Sequence, residues 1–336
     1  FASIIPPLSN LCRHYLEGYF SDKDIVPNIL DCLKSDDGVF ELVPGFQLVA
    51  MAGSSEYFSA HNINADGLLL LAEKANSEGK YLFPQYMTKE TFISYILSFS
   101  GDSFVNIEND YCNFENETFA NLIKYASGLP SDTELREETY IEAIQAEYGE
   151  IRQGNQLLSL IETGNPIFEE LKLKALYGDH LEFLGFPTNA GNGIAMTPFL
   201  RIAMSSTSNL KDEVQVFFDY LLSESFQGEM SKLSYMPIIS EYLDDYISNI
   251  VKGYIEVPLK IAIPDAMVLE CPLVDNETAH NAWDLIQRVD CINEYDTNIY
   301  KIVLEECQAF FAGAKEISEV IPIIQSRASL YVHEKQ

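Results

Sequence analysis

Acid–base, nucleophilic and metal chemistry each demand particular residues at particular spacings. The five His, six Cys and 51 Asp and Glu of this 336-residue chain can be held against those demands. His14, His61, His180, His280 and His333 stand far apart, with no HExxH spacing to set two imidazoles on one helix face around zinc. Cys12, Cys32, Cys112, Cys271, Cys291 and Cys307 contain no CxxC pair and no Cys/His grouping, so no metal site is expected and the thiols read as small buried hydrophobes. There is no GxSxG elbow and no GxxxxGK[ST] loop. A GxG begins at Gly191 and Gly193, but Met196 stands where a dinucleotide fingerprint needs its third glycine. Asp36 with Asp37, Glu137 with Glu138, and Asp244 with Asp245 could be drawn as glycosidase carboxylates. With 51 acidic residues such neighbours are common, and hydrolysis needs two carboxylates facing each other across a cleft. They read as a solvated face, and the chain reads as a non-enzyme without a cofactor.

The spacing that does favour function is one of recognition. Gly185-Phe186-Pro187-Thr188-Asn189-Ala190-Gly191-Asn192-Gly193 takes an apolar run into a segment that can turn sharply, because Gly and Asn tolerate positive φ. A second extended run follows at 194–206. Such a joint can carry a chain between two lobes, and its short amides and exposed N–H groups suit hydroxyl-rich ligands. The same residues would also make an ordinary surface loop.

The elements that must position these residues can be read from periodicity. Leu68, Leu69, Ala72 and Ala75 make the stripe of a helix from Asp66 to near Gly79. Thr88 caps a second helix with Phe92, Ile93, Ile96 and Leu97 inward; Phe119, Leu122, Ile123 and Ala126 line a third that Gly128 and Pro130 stop. Asn209 is placed to cap a fourth, with Val214, Phe217, Phe218, Leu221 and Leu222 spaced for burial. Ile299, Val303, Cys307 and Phe310 line a helix ending at Gly313, and Ser318 starts the last, with Pro322 near its first turn. Extended runs at 40–52, 181–187 and 194–205 alternate with these helices, which argues for α/β layers.

Composition narrows the function classes. Lys and Arg number 21 against 51 Asp and Glu, a formal charge of −30. No basic stripe exists for phosphate neutralisation, so nucleic acid and anionic lipid surfaces are excluded as partners. Twenty Phe, nineteen Tyr and 47% hydrophobic residues belong to an ordered globular chain, and its length predicts about two domains. No run approaches the ~18 apolar residues of a membrane span. The chain opens on Phe1 without a basic-then-apolar leader, the expectation being a processed or trimmed chain.

The GFPTNAGNG run, the extended stretch ending in Ser205-Ser206, and the helix from Glu213 to Ser223 together resemble the crossover region of extracellular solute-binding proteins (family 1) of carbohydrate ABC transporters. Glu305-Glu306, Phe310-Phe311, Gly313 and Lys315, then Ile324-Gln325-Ser326-Arg327 and Tyr331, resemble that family's closing helices. Asp24 to Leu30, Leu42-Val43-Pro44 with Phe46, Ser100-Gly101-Asp102, and Cys112-Asn113-Phe114 with Phe119 fit in family order. The resemblance implies an α/β periplasmic-binding-protein-like fold of type II, two lobes joined by crossover strands, with an incomplete N-terminal lobe. Residues 1–47 would end the N-terminal lobe, 48–187 begin the C-terminal lobe, 188–240 return to the N-terminal lobe, and 241–336 complete the C-terminal lobe with the closing helices.

The function so implied is capture of a sugar or oligosaccharide outside the cell and delivery to a membrane permease. The alternative is an extracellular interaction or scaffold domain of the same fold with no transport ligand. Sugars present apolar CH faces and dense hydroxyls, so the implied ligand-binding residues are aromatic, amide and acidic: Phe46, Gln47, Tyr86, Asn189, Asn192, Trp283, Tyr295 and Asp296. The implied partners are a carbohydrate and ABC permease subunits. The implied location is extracellular, anchored through a lipoprotein N-terminus upstream of this chain, or periplasmic. Each residue also has a plainer reading: Phe46 as core, Tyr86 as turn filler, Trp283 packed in a helix, Asn189 and Asn192 serving their own loop, and Asp296 as an N-cap.

Overall fold

The computed structural model describes residues 13–335 except 36, 59–62, 108, 136, 190, 255–256 and 264–266. Cys12, Asp36, His61 and Ala190 therefore lie outside the described residues.

One long strand, Gly45–Ser54, organises the molecule. Its composition is β-branched, aromatic and small, and its alternate side chains go to opposite faces, as the period of two requires. Phe46, Leu48, Ala50 and Ala52 enter one hydrophobic cluster, and Val49 and Met51 enter another. Along one edge the strand pairs antiparallel with Leu158–Thr163, from Leu48 opposite Thr163 to Gly53 opposite Leu158. Along the other it pairs antiparallel with Ile194–Pro198 and with Leu181–Leu184. Val289–Ile292 adds to Ile194–Pro198 in parallel, and the short Met236–Pro237 completes a six-stranded sheet.

The neighbouring strands split the same way, Ile194 and Met196 against Ala195, and Ile161 against Leu158. The two clusters are thus the two faces of one sheet, each covered by helices, an α/β architecture of stacked layers. On the first face lie Pro166–Tyr177, Lys211–Leu221, Ser240–Tyr254 and Asn276–Gln287. On the second lie Ala65–Ser77, Lys89–Phe99, Glu117–Ser127, Thr297–Phe311 and Ile317–His333. There Phe104, Phe114 and Phe119 are fully buried, with Phe119 5.1 Å from Phe104 and 4.8 Å from Phe114. Each such ring contributes about 1.5–3 kcal/mol by leaving water.

The hydrophobic packing follows the two faces of the sheet. Ile151, Ile161, Ile167 and Leu171 pack with Leu16, Phe46 and Ile286, whereas Ile299, Val303, Val320 and Ile324 join Leu68, Phe92 and Phe119.

Local signals were legible where the cap is a side chain. Thr88 accepts from Thr91 N, and Asp296 from Asn298 N and Ile299 N. The helix expected from Asp66 starts at Ala65, capped by Asn64, which accepts from Gly67 N and is not among the expected caps. Asn209 does not cap its helix, which starts at Lys211 behind Leu210 with no side-chain cap. On that helix Phe218 and Leu221 are buried but Phe217 is 49% exposed, because adjacent helical residues point about 100° apart. The last helix begins at Ile317, one residue before the expected Ser318, in a capping box formed by Glu316 and Glu319. Pro322 lies inside it, beyond the first turn, where its missing N–H leaves the Ser318 carbonyl without a helical partner. Cys32, Cys112, Cys271, Cys291 and Cys307 are free thiols.

Candidate functional site

The parallel strands Ile194–Pro198 and Val289–Ile292 end side by side, and the pairing register sets the start of the central strand and the end of Leu158–Thr163 at the same edge. Thr163, Gln47, Thr197 and Asn293 consequently stand in a row across one end of the sheet. Open α/β sheets bind ligands outside the carboxyl ends of their parallel strands. The polar residues Gln47, Thr197 and Asn293 are half-buried, and Thr163 is buried.

The row is held by short-range bonds. Asn293 N donates to Met196 O at 2.9 Å, and its side-chain amide to Thr197 Oγ1 at 3.4 Å. The Gln47 amide donates to Ser234 O at 3.0 Å. Asn165 N donates to Thr163 Oγ1 at 2.9 Å while the Asn165 side chain caps Phe168 N, so the helix Pro166–Tyr177 starts at this end of the sheet. Aromatic rings flank the row: Phe199 lies edge-on to Tyr235 at 4.9 Å, and Tyr295 tilts against Tyr300 at 5.1 Å.

An ion network braces the same edge. Arg201 Nε meets Glu41 Oε2 at 2.5 Å, Arg201 also pairs with Glu294, and Glu41 also pairs with Arg13. Burial works against the Arg201 charge, but the carboxylates of Glu294 and Glu41 outweigh it and hold the guanidinium above its usual value. Both carboxylates are thereby neutralised. What remains at the sheet end is a neutral set of amides, hydroxyls and aromatic rings, suited to hydrogen-bonding hydroxyls and stacking on apolar faces.

The eight expected residues fall in separate places. Gln47 and Tyr295 are at this sheet end, and Tyr295 is 37% exposed. Asp296 follows it, but its carboxylate is committed to the helix cap and to the Tyr331 hydroxyl at 2.9 Å. Phe46 departs from the expectation: it is 0% exposed, turned into the first cluster by the strand alternation that sets the half-buried Gln47 on the opposite face with Val49 and Met51. Trp283 is half-buried against that cluster from the helix Asn276–Gln287.

Asn189 and Asn192 lie at the opposite end of Ile194–Pro198. Asn189 donates to Ser103 Oγ at 2.5 Å and lines a recess of about 430 Å³ with Ile63, Asn64, Gly67 and Thr188. Asn192 N donates to the Asp290 carboxylate, and its side chain to Arg288 O at 3.2 Å. Tyr86 is elsewhere again: its hydroxyl donates to Glu147 Oε2 at 3.1 Å. Glu147 is buried with Gln156 and Ser159, and desolvation raises its pKa although those hydrogen bonds and Tyr86 oppose the rise.

Thr163, Thr197, Asn293 and Tyr235 had not been singled out from sequence. Thr163 and Thr197 stand near the ends of apolar strands, and only strand pairing brings them alongside Gln47 and Asn293. Among the described residues no group of three or more His, Cys, Asp and Glu is placed to hold a metal ion, and no helix is long and apolar enough to cross a membrane.

No family model matches the chain, and no curated protein matches it. Solved structures do, over nearly its whole length. The sugar-binding protein MalE from the phytopathogen Xanthomonas citri superposes with TM-score 0.55 at 13% identity, covering 96% of this chain and 80% of that one. An ABC substrate-binding protein from Listeria monocytogenes in complex with cycloalternan gives 0.51 at 12%, covering 96% and 80%. An extracellular solute-binding protein of family 1 from Alicyclobacillus acidocaldarius gives 0.50 at 15%, covering 96% and 79%. The chain has the α/β fold of the extracellular sugar-binding proteins.

Proposed function

We infer that this chain is the carbohydrate-binding component of an ABC transporter, capturing a sugar or oligosaccharide outside the cell and delivering it to a membrane permease. The observation that carries the reading is the fold agreement over 96% of the chain with a protein named for sugar binding and another holding cycloalternan. The neutral amide, hydroxyl and aromatic row at the sheet end supports it independently. Such a site binds without breaking bonds, since its two carboxylates are tied to Arg201.

In this reading Gln47, Thr197, Asn293 and Tyr295 face the ligand, Asp296 anchors the backbone behind Tyr295, and Tyr86, Asn189, Asn192 and Trp283 support the body around it. The strands Gly45–Ser54 and Ile194–Pro198, which feed both hydrophobic clusters, serve as the crossovers. Closure of two lobes on the sugar, the division the resemblance implies, is the state a permease recognises. The protein works at the outer face of the cytoplasmic membrane, lipid-anchored or free in a periplasm.

Isothermal titration of the chain against a panel of mono- and oligosaccharides tests the reading. Saturable heat with one sugar class, lost on Gln47→Ala with Asn293→Ala, is expected; a flat response to every sugar sinks it. A second reading, an extracellular interaction domain, is favoured by the apolar surface of the helix Lys211–Leu221, where Val216 is 68% and Tyr220 56% exposed. That reading predicts a stable protein complex and no sugar heat.

A further inference from the structure

A cavity of about 750 Å³ opens between the helices Ala65–Ser77 and Glu117–Ser127 and the segment 80–87 that joins the sheet alongside Gln156. It belongs to the second hydrophobic cluster, whereas the Thr163–Asn293 row crosses the carboxyl ends of the strands. Its size is within the range of small-molecule sites, roughly 300–1,000 Å³.

The floor is apolar and aromatic. Phe83, Met87 and Tyr125 line it, and the Tyr125 ring is fixed by Phe92 at 5.1 Å and Phe83 at 6.5 Å. The rim is polar. Among the described residues, the Tyr125 hydroxyl and the side-chain amides of Asn76 and Gln85 have no hydrogen-bond partner. Asn121 spends only its oxygen, on Lys124 at 3.2 Å, which leaves its NH₂ free. Glu73 adds a carboxylate acceptor.

Charge on the rim is largely spoken for. Lys80 is held by Glu78 at 2.8 Å and by the Tyr57 hydroxyl at 2.6 Å. Lys124 on the same rim bonds only the neutral Asn121 amide oxygen, so the rim offers one cation beside the Glu73 carboxylate and no cluster of positive charge. A purely apolar ligand would leave the Tyr125 hydroxyl without a partner, a cost of about 1–3 kcal/mol. A ring compound with one apolar face and several hydroxyls satisfies both the floor and the rim.

We propose that this cavity is a second carbohydrate site, binding one pyranose ring or a short saccharide with its CH face on Tyr125 and Phe83 and its hydroxyls on Asn76, Gln85, Asn121 and the Tyr125 hydroxyl. It stands apart from the sheet-end row, and neither site needs the other.

Methionine-methyl ¹³C NMR of the full chain tests it, because Met87 lines the cavity and reports on its occupancy. Titration with methyl α-glucoside, methyl β-galactoside and maltose is expected to move the Met87 signal, assigned through Met87→Leu, in a saturable way for at least one of them. Tyr125→Phe keeps the ring and removes a hydroxyl that holds no partner, so it should fold as the parent does and weaken that titration about five- to tenfold. Gln85→Leu, on an exposed side chain, should weaken it similarly, and Gln47→Ala at the sheet end should leave it unchanged. A Met87 signal that no sugar moves overturns the proposal, as does one that both variants leave at parental affinity or that cyclohexanol moves as tightly as sugar. Sugar heat lost on Gln47→Ala with Met87 unmoved would sink this site and spare the transport reading; a moving Met87 with no Gln47-dependent binding would do the reverse.

Discussion

The hydroxyl of Tyr86 donates to Glu147 Oε2 at 3.1 Å, joining two residues 61 apart in the chain. Gln156 and Ser159 donate to the other oxygen at 3.1 and 3.3 Å. Burial nevertheless wins, and the carboxyl titrates above its ordinary range. A carboxyl raised in the folded state binds its proton more tightly there than in the unfolded chain. Its contribution to stability is therefore present below the unfolded pKa and is lost as pH rises through the folded pKa. Glu147→Gln keeps an oxygen for Gln156 and Ser159, and the Tyr86 hydroxyl can turn from donor to acceptor for the new NH₂. The variant should melt higher than the parent at pH 8, by on the order of 1 kcal/mol or ~2 °C, with the difference closing as pH falls toward 4. A variant less stable than the parent across that range would show that the charged form is the favoured one.

Arg201 carries a different kind of buried electrostatics, because its partner Glu41 is itself buried. Arg201→Met leaves Glu41 with Arg13 alone and frees Glu294. Removing one member of a desolvated pair costs more than the pair contributes, and with Arg201 itself partly exposed the expected loss is about 1–3 kcal/mol in urea unfolding. Arg201→Lys, which cannot span two carboxylates with a planar fork, should recover less than half of it. Equal stability of all three proteins would remove the network from the account.

Phe46 and Gln47 are neighbours with opposite assignments, and they show what the sequence could and could not disclose. Caps such as Thr88 and Asp296 were legible because donor and acceptor lie within three residues. Which face of the strand Gly45–Ser54 would meet a ligand was not, since apolar residues fill both faces and the sorting depends on partners up to 192 residues away. Thr197 and Asn293, 96 apart, are united only by a parallel pairing that leaves no local trace. Phe46→Ala should cost about 3–5 kcal/mol of stability and leave sugar affinity unchanged at a temperature where the variant remains folded. Gln47→Ala should cost under about 1 kcal/mol and weaken binding at the sheet end five- to tenfold. Thermal melts with titration calorimetry separate the two, and a reversed pattern would mean the strand faces are exchanged.

Gly193 and Gly79 share a backbone conformation, with φ of 67° and 70°, but not an environment. A Cβ at Gly79 would meet nothing within 4 Å, so Gly79→Ala isolates the left-handed strain, about 1–2 kcal/mol. A Cβ at Gly193 would overlap the Phe186 carbonyl oxygen and lie 3.1 Å from Phe186 N. That nitrogen donates to Gly193 O at 2.7 Å, the bond that closes the loop carrying Asn189 and Asn192. Gly193→Ala must therefore break this closure as well as bear the strain, and a loss of about 3–4 kcal/mol is expected in urea unfolding. Because Gly193 leads directly into Ile194–Pro198, the displacement should pass along the strand to Thr197 and weaken sugar binding there, which Gly79→Ala should leave untouched. Equal losses for the two alanine variants would mean that the loop yields freely, and that the Gly/Asn-rich run is a surface turn with no hold on the strand behind it.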